Sequence, residues 1–289
     1  MPQTSMPRVV AVVTIGLALT LGACSSSSGS GSGSSSSTAS TTKAAAAPLT
    51  ILVTNDDGYD APGIDAVVEA LRALPDVKVT VVAPATNQTL QAGKTTPGEL
   101  SATESATASG YPATAVDGYP ADTIRYALEH QFASAPPDVV VSGINLGPNL
   151  GPIVNVSGTV GAAKAAVARG IPAIAASAGI PPEPSFRAGA RLVVEWVRAH
   201  REAFAAGGTR PTAVVNLNVP SCTSGSLRGV VQVPLSADGS GSVNATPDCT
   251  STATDPTNDV AAFSMGFAPV TEIDQAGQTV TTSTTWPKR

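Results

Sequence analysis

Residues 49–64 read LTILVTNDDGYDAPGI, and the change of character inside that stretch decides the fold. Leu49 to Thr54 is a β-branched-rich run of the length expected for a strand buried on both faces. Asn55-Asp56-Asp57-Gly58 is a turn, and Pro62 stands near a helix start, where its missing N–H is tolerated. Ile64, Val67, Val68, Leu71 and Leu74 then recur at helical spacing and lay one apolar stripe on a sheet. Val77 to Ala83 is a second strand that stops at Pro84. The unit is βαβ, for which a right-handed parallel crossover is expected.

The same alternation continues outward. Thr86 to Ser109 is polar, rich in Thr, Ser and Gly and without clear period, which predicts a long loop or irregular hairpin. Asp122 to Gln131 reads as a helix with Ile124, Ala127 and Leu128 inward, and Asp138 to Ser142 as another buried strand. Gly143 to Asn149 reads as a loop at that strand's carboxyl end. Ser157-Gly158-Thr159 opens a helix of small residues, Val160 to Arg169. A strand at Ala173 to Ala176 follows, then a helix marked by Phe186, Ala190, Val193, Val194 and Val197, then a strand at Ala213 to Leu217. Beyond Pro220, Val230 to Val233 and Val260 to Glu272 read as extended segments without intervening helices. The expected fold is α/β, with a doubly wound, mostly parallel, Rossmann-like sheet and an irregular or antiparallel C-terminal extension from about residue 220.

Residues 1–23 have the pattern of an export signal: Arg8, an apolar run from Val9 to Leu21, then the small Gly22 and Ala23 before Cys24. The run is shorter than the ~20 residues needed to span a bilayer. Leu21-Gly22-Ala23-Cys24 resembles the lipobox of bacterial lipoproteins, which implies lipidation of Cys24, a membrane anchor and a place on the outer face of the cytoplasmic membrane. Residues 24–48 read as a flexible Ser/Gly-rich tether with an r.m.s. reach of about 27 Å, and residues 49–289 as one domain. An oxidising compartment favours a disulfide between Cys222 and Cys249.

The whole sequence has 289 residues, 16 Lys and Arg against 21 Asp and Glu, and a net charge of −5, so no nucleic-acid polymer is expected as a partner. With 42% hydrophobic and only 13% charged residues a core can form, and with 4% aromatics it must come from Val, Ile, Leu and Ala. The three Cys and two His leave too few soft ligands for a Cys/His zinc site. His130 and His200 lie near the ends of helical stretches and read as solvated. The sequons at Asn87, Asn155 and Asn244 read as incidental.

In an open α/β sheet, ligands bind outside the carboxyl ends of the strands. Three polar clusters fall there. Asp56 and Asp57 are adjacent carboxylates whose repulsion a hard divalent cation would relieve. Asn87 and Thr89 follow the second strand and offer neutral oxygens. Ser142, Asn145 and Asn149 follow the later strand and lead into Ser157-Gly158-Thr159, a helix N-terminus suited to phosphate. Each cluster alone reads as turn or cap chemistry; together they describe a site for a metal plus a phosphate ester.

At these residues the sequence resembles the SurE survival-protein phosphatases, which are metal-dependent 5′/3′-nucleotidases. The likeness is carried by ILVTNDDGYDAPGI (51–64), VVAPATNQT (81–89), GYPADTIRYAL (118–128), PDVVVSGINLGPNLG (137–151) and VSGTVGAAKAAVARGIPAIAAS (156–177). It implies a metal, Mg²⁺ or Mn²⁺, on Asp56, Asp57, Thr89 and Asn145, with Thr89 in a position usually held by Ser. It also implies that Asn149 and Ser157 contact the metal-bound water or the phosphate; with Gly158 and Thr159 of the helix N-terminus they make the expected phosphate seat, and Asp56, Asn149 and Ser157 are the expected catalytic residues. A homodimer or homotetramer follows from the same likeness. Ala85, Thr86 and Gln88 stand where basic residues are common, which leaves substrate range less defined than reaction class.

The expected activity is hydrolysis of nucleoside monophosphates or other small phosphate esters, with either a water or Asp56 attacking phosphorus. A haloacid-dehalogenase-type site would need Asp-x-Asp, and a receiver domain would need an Asp where Ser142 to Asn145 stand. The remaining alternative is a tethered solute- or nucleotide-binding lipoprotein without catalysis, which the signal and tether suit equally.

Overall fold

β1 (Leu49–Thr54) and β2 (Val77–Pro84) lie side by side and parallel, joined by α1 (Pro62–Arg72). They belong to a computed structural model that describes residues 47–180, 183–207, 210–239, 246–280 and 286. The signal segment 1–23, the lipidation residue Cys24, the tether up to residue 46 and the sequon at Asn244 lie outside the described residues.

One nine-stranded sheet runs through the fold. From β1 the chain steps outward through β2 to β4 (Pro112–Val116), all parallel, and β3 (Ala102–Ala106) closes that edge antiparallel to β4. It then returns to the other side of β1 and steps through β5 (Val139–Leu146), β6 (Ala173–Ala178) and β7 (Val214–Val219), again parallel. β9 (Ala268–Ile273) runs antiparallel to β7 and carries the short β8 (Val230–Gln232) parallel to itself. The strand order reverses between β1 and β5, and the crevice at such a reversal is where an open α/β sheet binds ligands.

Alternation along each strand divides the core in two. Leu49, Ile51, Val53, Val79, Val81, Val139 and Val141 pack on one face with α1 and α4 (Phe186–Ala205). Leu52, Val82 and Val140 pack on the other with α2 (Pro120–His130) and α3 (Gly158–Val167). Ala162, Ala163 and Ala166 of α3 are fully buried, so the small-residue helix lies close on the sheet as its composition predicts.

Several boundaries differ from the sequence reading. The segment after β2 ends in the hairpin β3–β4, and β4 is a genuine parallel neighbour of β2; its Pro-Ala-Thr-Ala-Val sequence carries little β signal. β5 does not stop at Ser142 but continues to Leu146, with its register against β6 shifting between Ser142 and Asn145. Gly143 makes this possible: its φ is +134°, and a Cβ there would collide with the carbonyl of Ala176. The stretch Val260 to Glu272 is not wholly extended. Asp259–Ser264 forms α5, because Asn258 caps it by accepting from Ala261 N at 2.9 Å, and only Ala268–Ile273 is strand. Cys222 and Cys249 are joined in a disulfide.

Candidate active site

The loop after β1 is held in shape by Asn55, whose amide donates to Gly58 O at 2.8 Å and accepts from Gly58 N at 3.2 Å. This turn presents Asp56 and Asp57 at the switch point. Asp56 is buried, and Thr159 Oγ1 of α3 donates to its Oδ1 at 2.6 Å. Burial pushes the Asp56 carboxyl up to about 6, against the lowering effect of the Thr159 hydroxyl and with help from the neighbouring Asp57 charge. Asp57 is also raised by burial, although Leu146 N donates to its Oδ2 at 3.0 Å and Asn87 Nδ2 to its Oδ1 at 3.2 Å.

Elements from both halves of the sheet therefore converge on two carboxylates. The loop after β1 supplies them, the end of β5 supplies Leu146 N, the loop after β2 supplies Asn87, and α3 supplies Thr159. Thr89 is exposed and joins the cluster through its backbone N, which donates to Asn87 Oδ1 at 2.9 Å. In the same loop Gln88 N donates to Asp56 O at 2.6 Å. Asn145 commits its amide nitrogen to Gly147 O at 2.6 Å, which leaves the oxygen end of the amide as the one suited to a cation.

α3 begins against Asp56. Ser157 is its N-cap, accepting from Val160 N at 3.1 Å, and Gly158 leaves no room for a side chain: a Cβ would lie 2.8 Å from Asp56 Cβ and Oδ2. The hydroxyl of Ser157 keeps its proton to donate, whereas the hydroxyl of Thr159 is given to Asp56. A helix N-terminus thus meets the carboxylates, combining an anion seat with anionic ligands.

Asn149 is buried against β6 and β7 in a polar network that sequence reasoning did not reach. Its Nδ2 donates to Ser177 Oγ at 2.8 Å and its backbone N to Asn218 Oδ1 at 2.6 Å. Its carbonyl accepts from Asn218 Nδ2 at 3.1 Å and Asn216 Nδ2 at 3.0 Å. Asn216 and Asn218 alternate with apolar residues in Val-Asn-Leu-Asn-Val, so they share a strand face; that pair of amides inside a buried run was the available signal.

The donor set fits a hard cation. Among the described residues no cluster of three or more His, Cys, Asp or Glu side chains could hold a metal ion, so a cation here must combine the two carboxylates with neutral oxygens. Both carboxyls are raised by burial, meaning that protein hydrogen bonds alone under-compensate their charge. Mg²⁺ and Mn²⁺ accept this mixture of carboxylate, amide, hydroxyl and water oxygens.

Residues 51–240 match the family model described as survival protein SurE. The chain is 40% identical over 180 residues to the 5′-nucleotidase SurE of Sorangium cellulosum (strain So ce56), covering 62% of this chain and 67% of that protein. It is 41% identical over 179 residues to the 5′-nucleotidase SurE of Treponema pallidum (strain Nichols), covering 60% of this chain and 91% of that one. The crystal structure of the SurE protein from Aquifex aeolicus superposes with a TM-score of 0.62 at 29% identity, covering 78% of this chain and 93% of its own.

Proposed function

The chain belongs to the SurE family, and on that premise we propose that it is a divalent-cation-dependent nucleotidase, with Asp56, Asp57, Asn145 and Thr89 holding the cation. It is a phosphoric monoester hydrolase, as its relatives are. The observation that carries the reading is the meeting of two under-compensated carboxylates with the N-terminus of α3 at the switch point of the sheet.

The bound cation would supply a Lewis acid for the phosphoryl oxygen and lower the pKa of water. The chain's own groups do the rest. Thr159 and the wall at Gly158 fix the orientation of Asp56, while Leu146 N and Asn87 fix that of Asp57. The phosphate would lie against the start of α3, where Ser157 Oγ–H and helix N–H groups donate to its oxygens, and Asn149, gripped by Asn218, would contribute a further amide to it. When water attacks, a new P–O bond forms as the P–O bond to the nucleoside breaks, and the proton given up by the water ends on the departing nucleoside oxygen. In this reading Asp56 either orients the attacking water or attacks phosphorus itself, in which case water then hydrolyses the aspartyl phosphate.

The test is turnover of nucleoside monophosphates by the purified protein with Mn²⁺ or Mg²⁺, with EDTA, and in Asp57→Ala. Activity is expected to vanish with EDTA and to fall about a hundredfold or more in the variant. Metal-independent turnover or an active variant would overturn the site, and tight nucleotide binding without turnover would make the protein a binder.

We further propose an extracytoplasmic location through a lipid on Cys24, supported by Arg8, the apolar run Val9 to Leu21 and the sequence Leu21-Gly22-Ala23-Cys24. Mass measurement of the membrane-extracted protein checks it: an unmodified Cys24 rules the anchor out.

A further inference from the structure

The loop between β5 and α3 carries Asn149 and Ser157, and its middle is held by a residue from the far end of the chain. Gly151 N, two residues after Asn149, donates to Asp259 Oδ2 at 2.7 Å across a separation of 108 residues. Asp259 is fully buried at the first position of α5, in the C-terminal extension. Its other oxygen, Oδ1, accepts from Ser236 N at 2.7 Å and from Val260 N at 2.9 Å, and its own N–H donates to Pro234 O at 3.0 Å. One carboxylate therefore ties together the loop after β5, the chain after β8 and the start of α5.

The approach at Gly151 is close. Its φ is +50°, and a Cβ there would stand 3.1 Å from Ser236 O and 3.3 Å from Asp238 O, so backbone of the extension lies directly on the loop. From Gly151 the chain makes a single 3₁₀ turn, Gly151–Asn155, with Leu150 and Val154 buried and Ile153 O accepting from both Val156 N and Ser157 N at 3.0 Å. A displacement of Gly151 is thus passed to Ser157 through one hydrogen-bonded turn, and to Asn149 through the adjoining peptides. The amides of β7 hold the Asn149 end of the loop, and Asp259 holds its middle.

An amide cannot reproduce this grip. Each carboxylate oxygen of Asp259 receives backbone N–H groups, whereas Asn has one accepting oxygen and would set its NH₂ against an N–H at the other end. Burial pushes the Asp259 carboxyl up, although the N–H groups of Gly151, Ser236 and Val260 lower it. Its ionised form therefore costs the fold free energy that an apolar residue would not.

We propose that Asp259 is a positioning residue for ester hydrolysis: through Gly151 N it sets the loop that carries Asn149 and Ser157 to the phosphate. The inference rests on the nucleotidase reading and deepens it, by assigning a residue of the C-terminal extension to the working of that site.

The experiment measures AMP hydrolysis with Mn²⁺, and amide hydrogen exchange by mass spectrometry, in the full-length protein, Asp259→Asn, Gly151→Ala and the double variant, each shown to be folded by circular dichroism. Asp259→Asn lowers kcat about tenfold while KM changes less than about threefold, and Gly151→Ala acts in the same direction. The two losses do not add in the double variant, because both act on one contact. Amides of residues 149–157 exchange about tenfold faster in Asp259→Asn, while those of β1 and α1 keep their rates. A lower Tm with kcat, KM and loop exchange all as in the parent overturns the proposal and leaves Asp259 a buried structural residue; so does full additivity of the two losses. If Asp259→Asn does not fold, Gly151→Ala carries the same comparison alone. A parent that turns over no ester sinks the nucleotidase reading by itself, and the clamp then stands or falls on loop exchange: faster exchange upholds it, and an unchanged rate overturns it.

Discussion

Gly158 is where helix geometry and chemistry press hardest on each other. In helical propensity alone, Ala would be preferred to Gly by about 1 kcal/mol. Here a methyl group would lie 2.8 Å from Asp56 Oδ2 and 3.1 Å from Gln88 O, so the carboxylate or the loop must move. Gly158→Ala is therefore expected to keep its helix, visible as an unchanged far-UV circular dichroism spectrum, yet lose about tenfold to a hundredfold in kcat/KM. Normal activity would show that Asp56 does not need its observed position. Asn218 acts one step further out. It holds both the N–H and the carbonyl of Asn149, and its loss leaves those buried groups without that partner. Asn218→Ala should cost about 1–3 kcal/mol in denaturant unfolding and lower kcat more than it raises KM. An effect on stability alone would reduce Asn218 to a structural role.

At the scale of elements, the strands and helices that build the central sheet were legible because their apolar residues are strongly periodic, as in Leu49–Thr54 and in the stripe from Ile64 to Leu74. What escaped was set by tertiary context. Pro112–Val116 pairs with β2 although Ala and Pro are poor strand formers, and Asp259–Ser264 is helical because Asn258 caps it within a sequence that otherwise reads as extended. The adjacent aspartates were visible as a motif. The contact of Thr159 with Asp56 was not, since 103 residues separate the two partners and no local pattern encodes the approach. The grip of Asn218 on Asn149 spans 69 residues and was hidden for the same reason. The disulfide belongs to this scale as well: Cys222 and Cys249, 27 residues apart, bind the chain after β7 to the segment before α5. Cross-linking a loop of that length is worth about 3.5 kcal/mol in the chain-entropy account. The double variant Cys222→Ala/Cys249→Ala should unfold at correspondingly lower urea while kcat with Mn²⁺ stays within a fewfold of the parent. A variant as stable as the parent would mean that packing of β8 and β9 already fixes the extension.

For the molecule as a whole, the raised carboxyl of Asp56 links folding, pH and metal. In the folded chain Asp56 keeps its proton to about pH 6, whereas the ordinary value is 3.8. Between those values the folded state binds more protons than the unfolded state, so Asp56 makes stability fall as pH rises; the penalty is complete above the folded value and absent below the unfolded one. Its full size is about 3 kcal/mol, from 1.36 kcal/mol per unit. Asp57 is raised by burial too and acts in the same direction. Asp56→Asn removes the ionisation while keeping the shape. In EDTA, then, the variant should match the wild type near pH 4 and be the more stable of the two by a few kcal/mol at pH 7, measured by urea unfolding at both values. A cation reverses the order, because it binds the ionised carboxylates and competes with protons for them. Millimolar Mn²⁺ should raise the wild-type Tm little at pH 4.5 and by several degrees at pH 7, with much of that gain lost in Asp56→Asn. A Mn²⁺ effect of equal size at both pH values, or one retained in the variant, would place the cation elsewhere on the molecule.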